Sequence, residues 1–99
     1  MFDKLGQLKD LWKLKSQMEE IKKRLDNMVI KVESPRHVFE ITISGSQEVK
    51  EVKVDALAKN FSEAELADDL KAVINKAVRD SQALAAQAMG SMAGDLPNA

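Results

Sequence analysis

Cysteine is absent from this 99-residue chain, histidine and tryptophan occur once each, proline twice and glycine four times. Without cysteine there is no disulfide scaffold, no thiol nucleophile and no cysteine-based zinc site. One histidine does not build a histidine-rich metal site. The glycines, at positions 6, 45, 90 and 94, are scattered, so no glycine-rich phosphate loop exists. No apolar run approaches the roughly 20 residues of a membrane span. The start, Met1-Phe2-Asp3-Lys4, lacks the basic-then-apolar layout of a secretory signal. A soluble, cytoplasmic protein of one domain is expected, with no cofactor, no small-molecule substrate and no membrane partner. An excess of charge is missing too: 15 basic against 16 acidic residues leave a net charge of −1. At first sight that argues against a nucleic-acid binder.

The charge is, however, polarised along the chain. Residues 1–24 hold seven basic and four acidic groups, or +3, and residues 55–99 hold four basic and seven acidic, or −3. Such asymmetry bears on partners rather than on fold.

The apolar pattern changes period twice. Leu11, Leu14, Met18, Ile21, Leu25 and Met28 alternate steps of three and four, which predicts a helix from about Phe2 to Met28. Leu5, Leu8 and Trp12 form a second, offset stripe. At about 1.5 Å per residue this helix is ~40 Å long and overhangs a compact core. Val29–Glu33 then has the composition of a short strand, and Ser34-Pro35-Arg36-His37 that of a turn. Val38–Ser44 alternates, with Phe39, Ile41 and Ile43 on one face. Gly45-Ser46 supplies the next turn, where glycine tolerates positive φ. Glu48–Asp55 is the third strand, with Val52 and Val54 on one face; the step from Val49 to Val52 breaks alternation and suggests a bulge. Residues 55–60 make a connection with one helical turn. Ser62 and Glu65 have capping-box spacing, Phe61 and Leu66 that of a hydrophobic staple. A second long helix follows to about Ala88, and residues 90–99 form a flexible tail after a domain spanning 1–89. The fold class is α+β: helix, three-stranded antiparallel sheet, helical turn, helix. Two exposed sheet edges and a long apolar stripe predict a dimer, its interface formed by Phe39, Ile41, Ile43, Val52 and Val54.

Catalysis finds little support. His37 sits alone in a turn, and Asp68-Asp69 point about 100° apart on a helix, where they complement its dipole as surface residues. Basic residues are more informative. Lys9, Lys13, Lys15, Lys22, Lys23 and Arg24 lie on the first helix and suit phosphate neutralisation without base reading. Glu19–Lys23 and Glu20–Arg24 spacing would instead pair two of them. Lys76 and Arg79 on the last helix are second-rank candidates.

Several segments taken in order resemble the YbaB/EbfC family of bacterial nucleoid-associated proteins. They are Met1-Phe2 with the basic helix containing Gln17-Met18, the strand Val38–Gly45, the strand Val49–Asp55, and Glu65–Leu70 followed by Ala72–Ala77. Ser44 replaces the family's usual Asn or Asp before Gly45, Ala56 stands where Pro is common, and Pro35-Arg36-His37 replaces a glycine-rich stretch. The resemblance implies a homodimer that binds double-stranded DNA with limited sequence preference and serves nucleoid organisation or gene regulation. A prefoldin-like chaperone or protein-interaction module is the alternative.

Overall fold

The computed structural model describes the backbone of residues 4–94 and the side-chain surroundings of residues 8–90. Phe2, the Leu5 side chain and residues 95–99 of the expected tail lie outside the described residues. The elements run α1 (Lys4–Asn27), β1 (Val29–Glu33), β2 (Phe39–Ser44), β3 (Val49–Val54), a 3-10 turn (Ala56–Asn60) and α2 (Glu63–Gly94). The expected class and order are observed.

The sheet is an antiparallel meander, β1-β2-β3. Ile30 stands opposite Ile43 and Val32 opposite Ile41, while across the other ladder Phe39 faces Val54, Ile41 faces Val52 and Ile43 faces Val49. Directly paired residues share a sheet face, so these side chains form one apolar face. Lys31-Thr42-Glu51 and Glu33-Glu40-Lys53 form polar rows on the other. A register shift between Thr42 and Ile43 leaves Lys50 without a partner. That bulge is what brings Val49 onto the same face as Val52 and Val54 despite their odd spacing.

α2 lies over the apolar face of β1 and β2. Val73 and Ala77 meet Val32, Ile41 and Ile43 in the core, with Ile30, Phe39 and Leu70 packed around it. Ile41 and Ile43 are therefore inside their own protomer (3% and 2% exposed). Alternation puts them on the face of Val52 and Val54, and α2 of the same chain covers the β2 part of that face. Val52 and Val54 stay more than half exposed, and every residue of β3 is exposed.

α2 begins at the expected capping box. The Ser62 N–H donates to Glu65 Oε1 (3.0 Å) and the Glu65 N–H to Ser62 Oγ (3.2 Å). Hydrogen bonding of the Glu65 carboxyl to the Ser62 backbone N–H first and to the Ser62 hydroxyl second holds it below the usual carboxylate range, with Arg36 adding to the effect. The helix does not stop near Ala88 but continues through Gly90 to Gly94. Glycine weakens a helix interior by only about 1 kcal/mol, and the alanines around Gly90 offset that.

The two hairpin turns share one construction. Each begins with a buried serine whose Oγ accepts the backbone N–H four residues on: Ser34 from Val38 (3.1 Å), Ser44 from Glu48 (3.2 Å). Each is closed by a backbone bond, His37 N–H to Ser34 O and Gln47 N–H to Ser44 O. Each ends on a non-glycine residue in the left-handed region, His37 at φ 61° and Gln47 at φ 66°. No described glycine has positive φ, so Gly45 serves another purpose. Its N–H donates to both Leu25 O (3.0 Å) and Met28 O (2.8 Å), closing the C-terminal end of α1. A Cβ at Gly45 would lie 3.2 Å from Leu25 Cδ2 and 3.2 Å from Leu25 O. Close approach, not φ, requires the glycine.

Candidate nucleic-acid interface

α1 leaves the body of the molecule at this junction. Leu25 and Met28 are half-buried against it, but Leu11, Leu14 and Met18 are 61%, 55% and 63% exposed. The radius of gyration is 19.6 Å and the extents are 71 × 23 × 18 Å, against about 13 Å for a compact chain of this length. The overhang expected from the heptad pattern is real.

The arm is fixed at its root. Asp26 accepts from Ser46 Oγ, and Ser46 is in turn bonded to Ser44 Oγ (2.8 Å). Ser81 of α2 donates to Ser44 O (2.7 Å) from a fully buried position. One turn thus ties α1, the sheet and α2 together.

Lys9, Lys13, Lys15, Lys22, Lys23 and Arg24 are all exposed on α1. Among the described residues none of them makes an ion pair, and the Glu19–Lys23 and Glu20–Arg24 pairs are not formed. The charges are not one stripe. At about 100° per residue, Lys15 and Lys22 flank one side of the seam, lining a shallow groove of ≈ 430 Å³ with Leu11, Leu14 and Met18. Lys13 and Arg24 lie toward the other side, and Lys9 and Lys23 on the back of the helix, away from the seam. On α2, Lys76 is engaged by Asp80 at 2.8 Å, whereas Arg79 is exposed.

Arg36 is a cation of a different kind. Its Nη1 donates to Asp68 Oδ2 (3.3 Å) and Glu65 O (3.2 Å), and its guanidinium carbon lies 5.9 Å from the Phe61 ring centroid. Its backbone N–H donates to Asp69 Oδ1 at 2.9 Å. Asp69 is 1% exposed, which corrects its assignment as a surface residue. It pins the β1–β2 turn to α2, and its Oδ2 has no protein partner. The one sequence signal that separates Asp69 from its exposed neighbour Asp68 is helix phase: Asp69 stands four and eight residues before the buried Val73 and Ala77. His37 lies on the surface as expected, with Nδ1 2.8 Å from Glu33 Oε1. Among the described residues no cluster of three potential metal ligands occurs, and no helix is long and apolar enough to cross a membrane.

The sequence matches the model of the YbaB/EbfC DNA-binding family over residues 1–96. The chain belongs to the YbaB/EbfC family. Curated relatives agree. A nucleoid-associated protein of Dictyoglomus thermophilum is 31% identical over 91 residues, 91% of this chain and 88% of that protein. Another, of Syntrophobacter fumaroxidans, is 32% identical over 84 residues, 84% of this chain and 76% of its own length. The fold also matches the crystal structure of an uncharacterized protein from Helicobacter pylori (TM-score 0.64, 12% identity, 83% of this chain and 96% of that one). In this YbaB/EbfC protein two of the three departures from the family pattern sit in the two hairpin turns, and the third, Ala56, opens the 3-10 turn. Ser44 and Pro35-Arg36-His37 belong to the twin serine-headed turns, so the departures leave the meander intact.

Proposed function

We propose that this protein is a homodimeric, nucleoid-located DNA-binding protein that holds duplex DNA mainly through its phosphates. The observation that carries this is the overhanging α1 arm, whose six cations are exposed and unengaged by described acidic groups. Family membership and the names of the relatives support DNA as the ligand. Lysines on a helix surface track phosphate charge rather than base edges. The role that follows is nucleoid organisation or gene regulation, without chemistry on the DNA. Gel-shift titration of a duplex at two salt concentrations tests it. Affinity falls steeply with salt; absence of any shift at low salt, with the protein folded, refutes it.

The dimer rests on β3. It is an edge strand with all six residues exposed, and Val49, Val52 and Val54 extend the core face beyond the cover of α2. Such an edge pairs unless protected. Phe39, half-buried opposite Val54, borders this surface. Light scattering should give twice the 11.0 kDa chain mass, and Val54→Lys should return it to one.

A further inference from the structure

Trp12 and Leu8 are absorbed neither by the apolar core nor by the seam of α1. Trp12 is 67% exposed and Leu8, one turn before it, 51%. Trp12 lies roughly 130° around the helix from the centre of the Leu11–Leu14–Met18 seam, so a helix docked on that seam leaves it uncovered. Its surroundings are cationic: Lys9 and Lys13 are within one turn, and Lys15 Nζ is 5.9 Å from the ring centroid. An aromatic plane set among unengaged cations matches a ligand that combines phosphates with flat, apolar faces.

We propose that Trp12 stacks on an exposed nucleobase, so that α1 favours DNA carrying unpaired bases over intact duplex. This rests on the DNA-binding reading above and adds a recognition element to it. The lysines hold the phosphates while the indole covers a base face, an interaction every base offers irrespective of sequence. An intact duplex presents no such face. A bilayer with anionic headgroups is the competing ligand, but the apolar patch is short. Glu19 and Asp26 follow on the Trp12 side of the helix at seven-residue steps, where a helix lying in a membrane interface needs apolar groups.

Trp12 is the only tryptophan, so its emission reports the contact directly. The full chain, Trp12→Phe and Trp12→Ala are titrated with a 20-bp duplex and with the same duplex carrying a two-nucleotide bulge, and separately with anionic vesicles. The wild-type protein is expected to bind the bulged DNA on the order of tenfold tighter, with quenched emission. Trp12→Phe keeps most of that advantage. Trp12→Ala loses it while binding intact duplex within about twofold of wild type, as base stacking and phosphate contact are separate contributions. Equal wild-type affinity for the two DNAs overturns the inference. So does an advantage that survives in Trp12→Ala, or emission that responds to vesicles and not to DNA. Binding of intact duplex without bulge preference refutes this inference alone; failure to bind either DNA at low salt refutes the function proposed above as well.

Discussion

Exchanging the demands on Gly45 and Gln47 tests the junction that carries the arm. In the turn Ser44–Gln47 the left-handed residue is Gln47, at φ 66°, while Gly45 is pressed against Leu25. A side chain in the left-handed region costs about 1–2 kcal/mol. Glycine there relieves that cost but adds about 0.5–1 kcal/mol of unfolded-chain entropy. Gln47→Gly is therefore expected to stabilise the protein by about 0.5–1 kcal/mol. Gly45→Ala places a methyl group 3.2 Å from both Leu25 Cδ2 and Leu25 O. The leucine side chain can turn away, but the carbonyl accepts from Gly45 N–H itself and is held by it. The cost is set by shifting that backbone contact, about 1–3 kcal/mol, typical of overpacking. Urea denaturation at one fixed protein concentration measures both, since the dimer proposed above would make stability concentration-dependent. The opposite result, Gly45→Ala neutral and Gln47→Gly destabilising, would place the positive φ at Gly45 and refute the account of the turn.

Three further outcomes follow from other contacts. Lys13→Ala and Arg24→Ala should each lower the slope of log affinity against log salt by about one; Arg36→Ala should leave it unchanged, because Arg36 is held by Asp68 and Glu65 O. Ser62→Ala should cost about 1 kcal/mol at neutral pH. The Glu65 share of the cap, whose largest part is the Ser62 backbone N–H that Ser62→Ala keeps, is present above the ordinary carboxylate pKa and lost as pH falls through the depressed folded value. In urea melts it is therefore the penalty of Glu65→Ala that should shrink toward strong acid. Asp69→Ala should cost about 1–3 kcal/mol in the same assay, since it strips the buried acceptor from the Arg36 N–H.

Elements whose signal is local and periodic were legible in the sequence. The three strands, the bulge after Val49, the capping box and the overhang of α1 all follow from spacing. What was not legible depends on which element covers which face. Phe39, Ile41, Ile43, Val52 and Val54 are equivalent by alternation, yet α2 buries the β2 pair and leaves the β3 pair open. Asp68 and Asp69 differ only by helix phase. Gly45 looked like a φ requirement because the Leu25 carbonyl that crowds it lies 20 residues away. The α1 cations were readable as a set. Their freedom from Glu19 and Glu20 was not, because i,i+4 spacing permits a pair without enforcing one.

The elongation of the subunit has a hydrodynamic consequence. A globular chain with a radius of gyration of 19.6 Å contains roughly 300 residues by the usual size scaling. A single copy of this 99-residue chain should therefore run through a sizing column ahead of compact proteins of its own mass, imitating an assembly. Elution volume will not distinguish monomer from dimer here; mass from scattering or sedimentation equilibrium will. The same drag should make DNA-free protein tumble slowly and anisotropically.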